Sequence, residues 1–384
     1  MTKYSAFFLL LVLLLPSAMA ATTSPEKKYP FEMTWADHRP IGMLALASCQ
    51  PGKSPKNPRC WMNCSDKIDV TTEAGRADFR DQIMQCADAC IAHCKDLDAQ
   101  GIIVWDIEGQ EMPHMTSYLA DPRMLAQVAP EMEPLADTVF KKFRDAKLRV
   151  GVAIRPTRVT GHEHHWRQTG VHDPIAELSD KINYAQKRWG CTIFYIDSNV
   201  DVKKNDQGKT EYPPMSADGF VKLAHLHRDC LLLPEHSTPQ YWANTAPYHE
   251  LAQGYSSTPE NVRALYPHSF SVLRVVDGPL LEGQVFDKLT DAVKSGDILL
   301  FRAWFDDPDS QKVKSIYECA KDPDLMEKLK QKAQEELKKL KLEVEKQEKQ
   351  QAEEYKKLRQ EQKEQDKQQE KVEKQDQVKE EKPN

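Results

Sequence analysis

The chain has 384 residues, nine cysteines and a formal net charge of −6. That balance leaves no basic footprint, which argues against nucleic acid as a partner. Beyond the first twenty residues no segment reaches the roughly 18 uninterrupted apolar residues of a membrane span, so the body of the chain reads as soluble.

Lys3 supplies a positive start, residues 7–15 form an apolar run, and Ala18-Met19-Ala20 has the small-x-small pattern of a signal peptidase site. The reading is a signal peptide over 1–20 and a secreted or periplasmic protein with no membrane anchor after cleavage. The nine cysteines fit an oxidising compartment. Cys60 and Cys64 share a loop, while Cys86, Cys90 and Cys94 fall along one side of a helix expected over 76–97. Disulfides between that helix and the loop are expected, with connectivity open, and a thiolate metal site is the alternative.

Seven short apolar runs follow in chain order, at 41–47, 101–105, 149–154, 192–196, 231–233, 270–276 and 298–304. Several are apolar at successive positions, as strands buried on both faces are. Helical spacing separates them at 136–146, 174–189, 217–228, 259–265 and 280–295. Strands alternating with helices predict a parallel sheet. The expected fold is α/β, a (β/α)8 TIM-like barrel over 21–320, irregular or incomplete because only seven strands are evident. Residues 31–35 could supply the eighth. A doubly wound open sheet is the competitor, but no phosphate-binding glycine loop follows the first strand.

In such a barrel, function collects at the C-terminal ends of the strands. The second run ends Trp105-Asp106-Ile107-Glu108-Gly109, the third Ile154-Arg155-Pro156, and the fourth Tyr195-Ile196-Asp197-Ser198-Asn199. The fifth ends Pro234-Glu235-His236, the sixth Val276-Asp277-Gly278, and the seventh Phe301-Arg302-Ala303-Trp304-Phe305-Asp306. One strand-end acid is usually structural; several converging on one rim point to chemistry. Carboxylates, arginines and aromatic rings suit a sugar, and glycosidic cleavage needs two carboxyl groups flanking the bond.

This strand set, with Trp105-Asp106-Ile107-Glu108-Gly109, Tyr195-Ile196-Asp197 and Pro234-Glu235-His236, resembles the (β/α)8-barrel glycoside hydrolase superfamily, in the manner of its secreted bacterial members. The resemblance covers about residues 30–319. It implies a carbohydrate substrate, no cofactor, and a nucleophilic aspartate ending the fourth strand, here Asp197. The α-galactosidase-like and α-glucosidase-like clans place their acid/base at the end of the sixth strand, which implies Asp277. Glu235 is preferred here, because Pro234 fixes its entry and His236 can adjust its proton affinity. Asp106, Glu108, Asn199, His236 and Asp277 are expected to contact substrate. Arg155 and Arg302 would orient carboxylates or recognise an acidic sugar, and Trp304, Trp242 and Tyr248 are candidate stacking platforms.

Other readings compete. His162-Glu163-His164-His165 follows the third strand and could ligate a transition metal, which would make a metal-dependent barrel hydrolase. It lacks the HExxH spacing, so no metal ligand is assigned. Asp197-Ser198-Asn199-Val200-Asp201 begins like a calcium loop but has Val202 and Gly208 where Gly and Glu are required. A non-catalytic carbohydrate-binding or scaffolding barrel is the alternative of a different class. Residues 321–384 are almost entirely Lys, Glu and Gln, with a thin stripe of Leu329, Ala333, Leu337, Leu340 and Val344. They read as a charged helical or disordered tail, with a self-associating coil or a surface tether as the alternative.

Overall fold

A computed structural model describes residues 29–47, 54–109, 118–162, 166–275, 283–304 and 308–322, with separate positions of the C-terminal segment up to 349. The expected signal peptide over 1–20, Asp277 and Asp306 lie outside the described residues, as do Glu163, His164 and His165. The apolar stripe from Leu329 to Val344 lies outside them too.

Eight parallel strands form one sheet: β1 Ile41–Leu44, β2 Gly101–Val104, β3 Arg149–Ile154, β4 Ile193–Ile196, β5 Leu231–Pro234, β6 Tyr248–Glu250, β7 Val272–Arg274 and β8 Ile298–Arg302. Their order is β6-β7-β8-β1-β2-β3-β4-β5. The seam between β5 and β6 is bridged where Ala246 N–H donates to Leu232 O at 3.0 Å. The barrel is therefore nearly closed, and the open-sheet competitor is excluded.

The eighth strand is β6, not residues 31–35. It is three residues long and reads Tyr-His-Glu. The connection from β5 holds only the 3-10 turn Pro239–Ala243, so neither an apolar run nor a helical period marks it. The insertion renumbers the barrel: the run at 270–276 is the seventh strand and the run at 298–304 the eighth.

Helices α1 Glu73–Asp96, α2 Glu133–Asp145, α3 Pro174–Trp189, α4 Ala217–Leu226, α5 Glu260–Leu265, α6 Gln284–Lys294 and α7 Pro308–Lys321 lie outside the sheet. The period-2 alternation of each strand divides its side chains between two apolar clusters. One, with Ile102, Val104, Val152, Ile154, Phe194, Ile196 and Leu232, packs against the helices. The other, with Met43, Ile103, Ala153, Tyr195, Leu233, Tyr248, Val272 and Leu300, fills the barrel interior.

Cys86, Cys90 and Cys94 are free thiols, which corrects the expectation of disulfides from this helix to the 60/64 loop. Cys60 is disulfide-bonded, but to none of these three. Their stripe on α1 serves packing. Cys90 and Cys94 are fully buried, and a Cβ on Gly42 of β1 would stand 2.9 Å from Cys94 Sγ. Among the described residues, no group of three His, Cys, Asp or Glu side chains is placed to hold a metal ion.

Candidate active site at the C-terminal rim

Register builds the site. Ile154 on β3 pairs with Ile196 on β4, and Ile196 pairs with Pro234 on β5. The next residue of each strand is therefore Arg155, Asp197 and Glu235, side by side on one layer. All three share the inward parity of Ala153, Tyr195 and Leu233, so they extend the interior row into the mouth of the barrel.

Asp197 is held from several directions. Arg155 donates Nε and Nη2 to its Oδ2 at 2.9 and 2.6 Å. The Tyr118 hydroxyl reaches the same oxygen at 2.6 Å, and Ser198 Oγ donates to Oδ1 at 2.7 Å. Burial works to raise this carboxyl, but Arg155, Tyr118 and Ser198 outweigh it and hold Asp197 below the usual carboxylate range. Arg155 is braced in turn: its backbone oxygen accepts from the fully buried Lys181 Nζ at 2.9 Å.

Glu235 has the opposite tendency. Burial first, and then the adjacent Asp197 charge, push it up to about 7, against the pull of a hydrogen bond from Ser198 N–H. Its side chain is 31% exposed, against 8% for Asp197, so Glu235 is the more accessible of the two from the mouth. Ser198 links the two acids, its N–H donating to Glu235 Oε2 at 2.8 Å and its Oγ to Asp197 Oδ1 at 2.7 Å. His236 Nε2 lies 3.4 Å from Glu235 Oε2, and burial lowers the proton affinity of its ring. Ser198, between the two acids' contacts, takes a left-handed φ of 53°, a cost for a residue with a side chain that clusters at functional turns.

The floor is aromatic. Trp105 and Tyr195 stack with centroids 4.0 Å apart, and Tyr248 meets Tyr195 edge-on at 4.8 Å. Trp105 is only half-buried. On the β6 side, Glu250 pairs in register with Arg274. Its Oε1 accepts from Tyr248 at 2.6 Å and lies 3.1 Å from Arg274 Nη1. With β6 counted, the carboxylate ending the sixth strand is Glu250, not Asp277.

The remaining expected residues divide by the same parity. Arg302 points inward at the end of β8, its guanidinium carbon 5.5 Å from the Trp304 ring centroid. Asp106, two residues beyond Val104, keeps the helix-facing parity of Ile102 and Val104, and Glu108 follows in the turn after the strand. Asp106 accepts from Leu46 and Ala47 N–H at 2.6 and 2.9 Å, and burial pushes it up to about 8. Glu108 accepts from Asp121 N–H at 2.7 Å, and burial pushes it up to about 7. Both are buried struts for the rim loops.

Asn199 is likewise fully buried, exchanging two hydrogen bonds with the backbone of His236 at 2.9 and 2.7 Å. Trp242 is buried in a separate cluster with Tyr29 and Tyr266, and its Nε1 donates to Ser271 Oγ at 3.1 Å, so it offers no stacking face. Tyr248 is also buried, as part of the floor. Trp105, Tyr118, Glu250 and Arg274 had not been singled out from sequence. For Trp105 the signal was present, since it stands two residues beyond the inward Ile103.

No family model matches this chain, and no curated protein does. Among solved structures, an α-amylase from Anoxybacillus is similar over 75% of this chain and 80% of its own, at 10% identity and a TM-score of 0.40. An α-L-fucosidase from Bacteroides thetaiotaomicron is similar over 75% and 76%, at 11% identity and 0.36. Alpha-L-fucosidase isoenzyme 1 from Paenibacillus thiaminolyticus is similar over 75% of each chain, at 11% identity and 0.37.

Proposed function

We propose that this chain is an exported glycoside hydrolase whose saccharide substrate enters at the C-terminal rim, with Asp197 as nucleophile and Glu235 as proton donor. The observation that carries the reading is the pair of inward carboxyls on adjacent strands with opposed proton affinities. That split assigns acid and base roles in carboxylate catalysis. Glu235 keeps its proton near neutrality and delivers it to the leaving oxygen. Asp197 stays ionised and bonds the anomeric carbon as the glycosidic bond breaks. Water then opens the ester, losing its proton to Glu235. Trp105 offers an apolar ring to a pyranose face.

The placement of the acids on adjacent strands bears on stereochemistry. Inversion needs the carboxyls about 6.5–9.5 Å apart to admit a water, and retention about 5–5.5 Å. Asp197 and Glu235 stand on adjacent strands and share Ser198 as a hydrogen-bond donor, a juxtaposition that favours the smaller, retaining separation. Glu250, at the end of the sixth strand, is the second candidate for the acid.

The test is turnover of aryl glycosides and polysaccharides by wild type, Asp197→Asn, Glu235→Gln and Glu250→Gln. Asp197→Asn should be inactive on every substrate. Glu235→Gln should lose ~10²–10⁴-fold on poor leaving groups, the range for acid–base assistance, and far less on activated aryl groups. Equal rates in wild type and both variants would remove the assignment. A non-catalytic saccharide-binding barrel is the second reading, favoured by the donors from Arg155, Tyr118 and Ser198 that already occupy the Asp197 oxygens. Binding without turnover by any form would select it.

A further inference from the structure

The opposite, N-terminal end of the barrel holds a cavity of about 820 Å³. This face ordinarily serves stability in such barrels, and its interior would normally be closed by apolar side chains. Here five cations line the space: Arg39, Arg149, Arg228, Lys294 and Lys321. Among the lining residues only Asp37 and Asp229 carry negative charge, while Asp98 also holds Arg39 at 3.0 Å and Asp291 holds Lys294 at 3.5 Å. Asp37 is already occupied by Arg39 at 2.9 Å and Arg149 at 3.1 Å. Arg228 and Lys321 are exposed and have no ion-pair or hydrogen-bond partner among the described residues. Gathering like charges around one concavity costs stability, and a bound anion offsets that cost.

Two further groups narrow the ligand. Asp229 meets no donor among the described residues, and Thr192 Oγ1 is buried at the cavity wall without a hydrogen-bond partner. A ligand that satisfies both ends carries an oxyanion for the cations and hydroxyls for Asp229 and Thr192. The volume exceeds that of a lone inorganic ion and falls within the range of small-molecule sites, about 300–1,000 Å³.

We propose that this cavity binds an acidic oligosaccharide, one bearing uronate carboxylates or sulfate esters, at a site separate from the catalytic rim. The choice of a saccharide rests on the glycosidase reading. The anionic character rests on the cavity alone.

Calorimetric titration of the full chain with a galacturonate trisaccharide, a sulfated trisaccharide, a neutral trisaccharide and sodium sulfate tests it. An acidic trisaccharide should bind, weaken with added salt, and lose at least ten-fold in affinity in Arg228→Ala/Lys321→Ala. Thr192→Val should weaken it further, and Asp197→Asn should leave it unchanged. Preference between the first two ligands identifies carboxylate or sulfate. Equal binding of the neutral sugar, binding of sodium sulfate alone, indifference to the double substitution, or no binding would each overturn the proposal. Acidic binding with these sensitivities in a protein that hydrolyses no glycoside would sustain this site while the glycosidase reading fell.

Discussion

Two acids on adjacent strands divide their protonation because their partners differ: Asp197 has a guanidinium and two hydroxyls, and Glu235 has burial and a neighbouring negative charge. The direction sets a pH profile. The active form needs Glu235 protonated, so kcat/KM should fall as pH rises through about 7. It also needs Asp197 ionised, so the acid limb should lie below the ordinary carboxylate range. Glu235→Gln should abolish the alkaline limb, and a limb that persists in this variant would reassign the acid. Asp106 belongs to a different argument. Both its oxygens accept backbone N–H groups inside the protein, so Asp106→Asn should leave one donor unmet and cost about 1–3 kcal/mol. Urea unfolding would show the lower midpoint. At this scale the sequence placed Arg155, Asp197 and Glu235 correctly on one rim, but grouped Asp106 and Glu108 with them. Parity along β2 separates them, because Asp106 falls on the same side as Ile102 and Val104 while Trp105 follows Ile103.

At the scale of elements, strands with long apolar runs were legible and the polar three-residue β6 was not. Its residues are specified by what they meet across the sheet: Glu250 by Arg274, and Tyr248 by Tyr195. Such partners are dispersed in sequence and leave no local period. The omission shifted strand numbering by one and moved the sixth-strand acid from Asp277 to Glu250. Close contact between strands is also invisible until they are paired. Gly151 on β3 faces Ile193 on β4 so tightly that an added Cβ would stand 2.3 Å from the Ile193 carbonyl oxygen. Gly151→Ala must part β3 from β4, the strands that deliver Arg155 and Asp197. The expected cost is about 1–3 kcal/mol of overpacking, with a fall in kcat/KM larger than the loss of folded protein explains. Thermal unfolding and kinetics on the same preparation separate the two effects.

Across the whole molecule the two proposed sites lie on opposite faces of the barrel, and the end of α7 belongs to the face away from the acids. Helix α7 starts just beyond the end of β8, and its last residues, Ala320 and Lys321, line the cavity on the far face. Lys321 therefore lies on the side away from Asp197 and Glu235. The described positions from Asp324 to Lys349 are helical and exposed, apart from a partly buried Leu325. Exposed charged helix adds little to a core, since helical stability in proteins comes chiefly from burying an apolar face. Ending the chain after Asp324 should consequently change stability by less than about 1 kcal/mol, a shift in Tm within ~2–4 °C. It should leave kcat/KM unchanged and, because Lys321 is retained, preserve binding of the acidic trisaccharide. Sedimentation of the full and shortened chains completes the test. Equal mass per particle fits a solvated helix, whereas a full chain that dimerises while the shortened one does not would make the tail an association element.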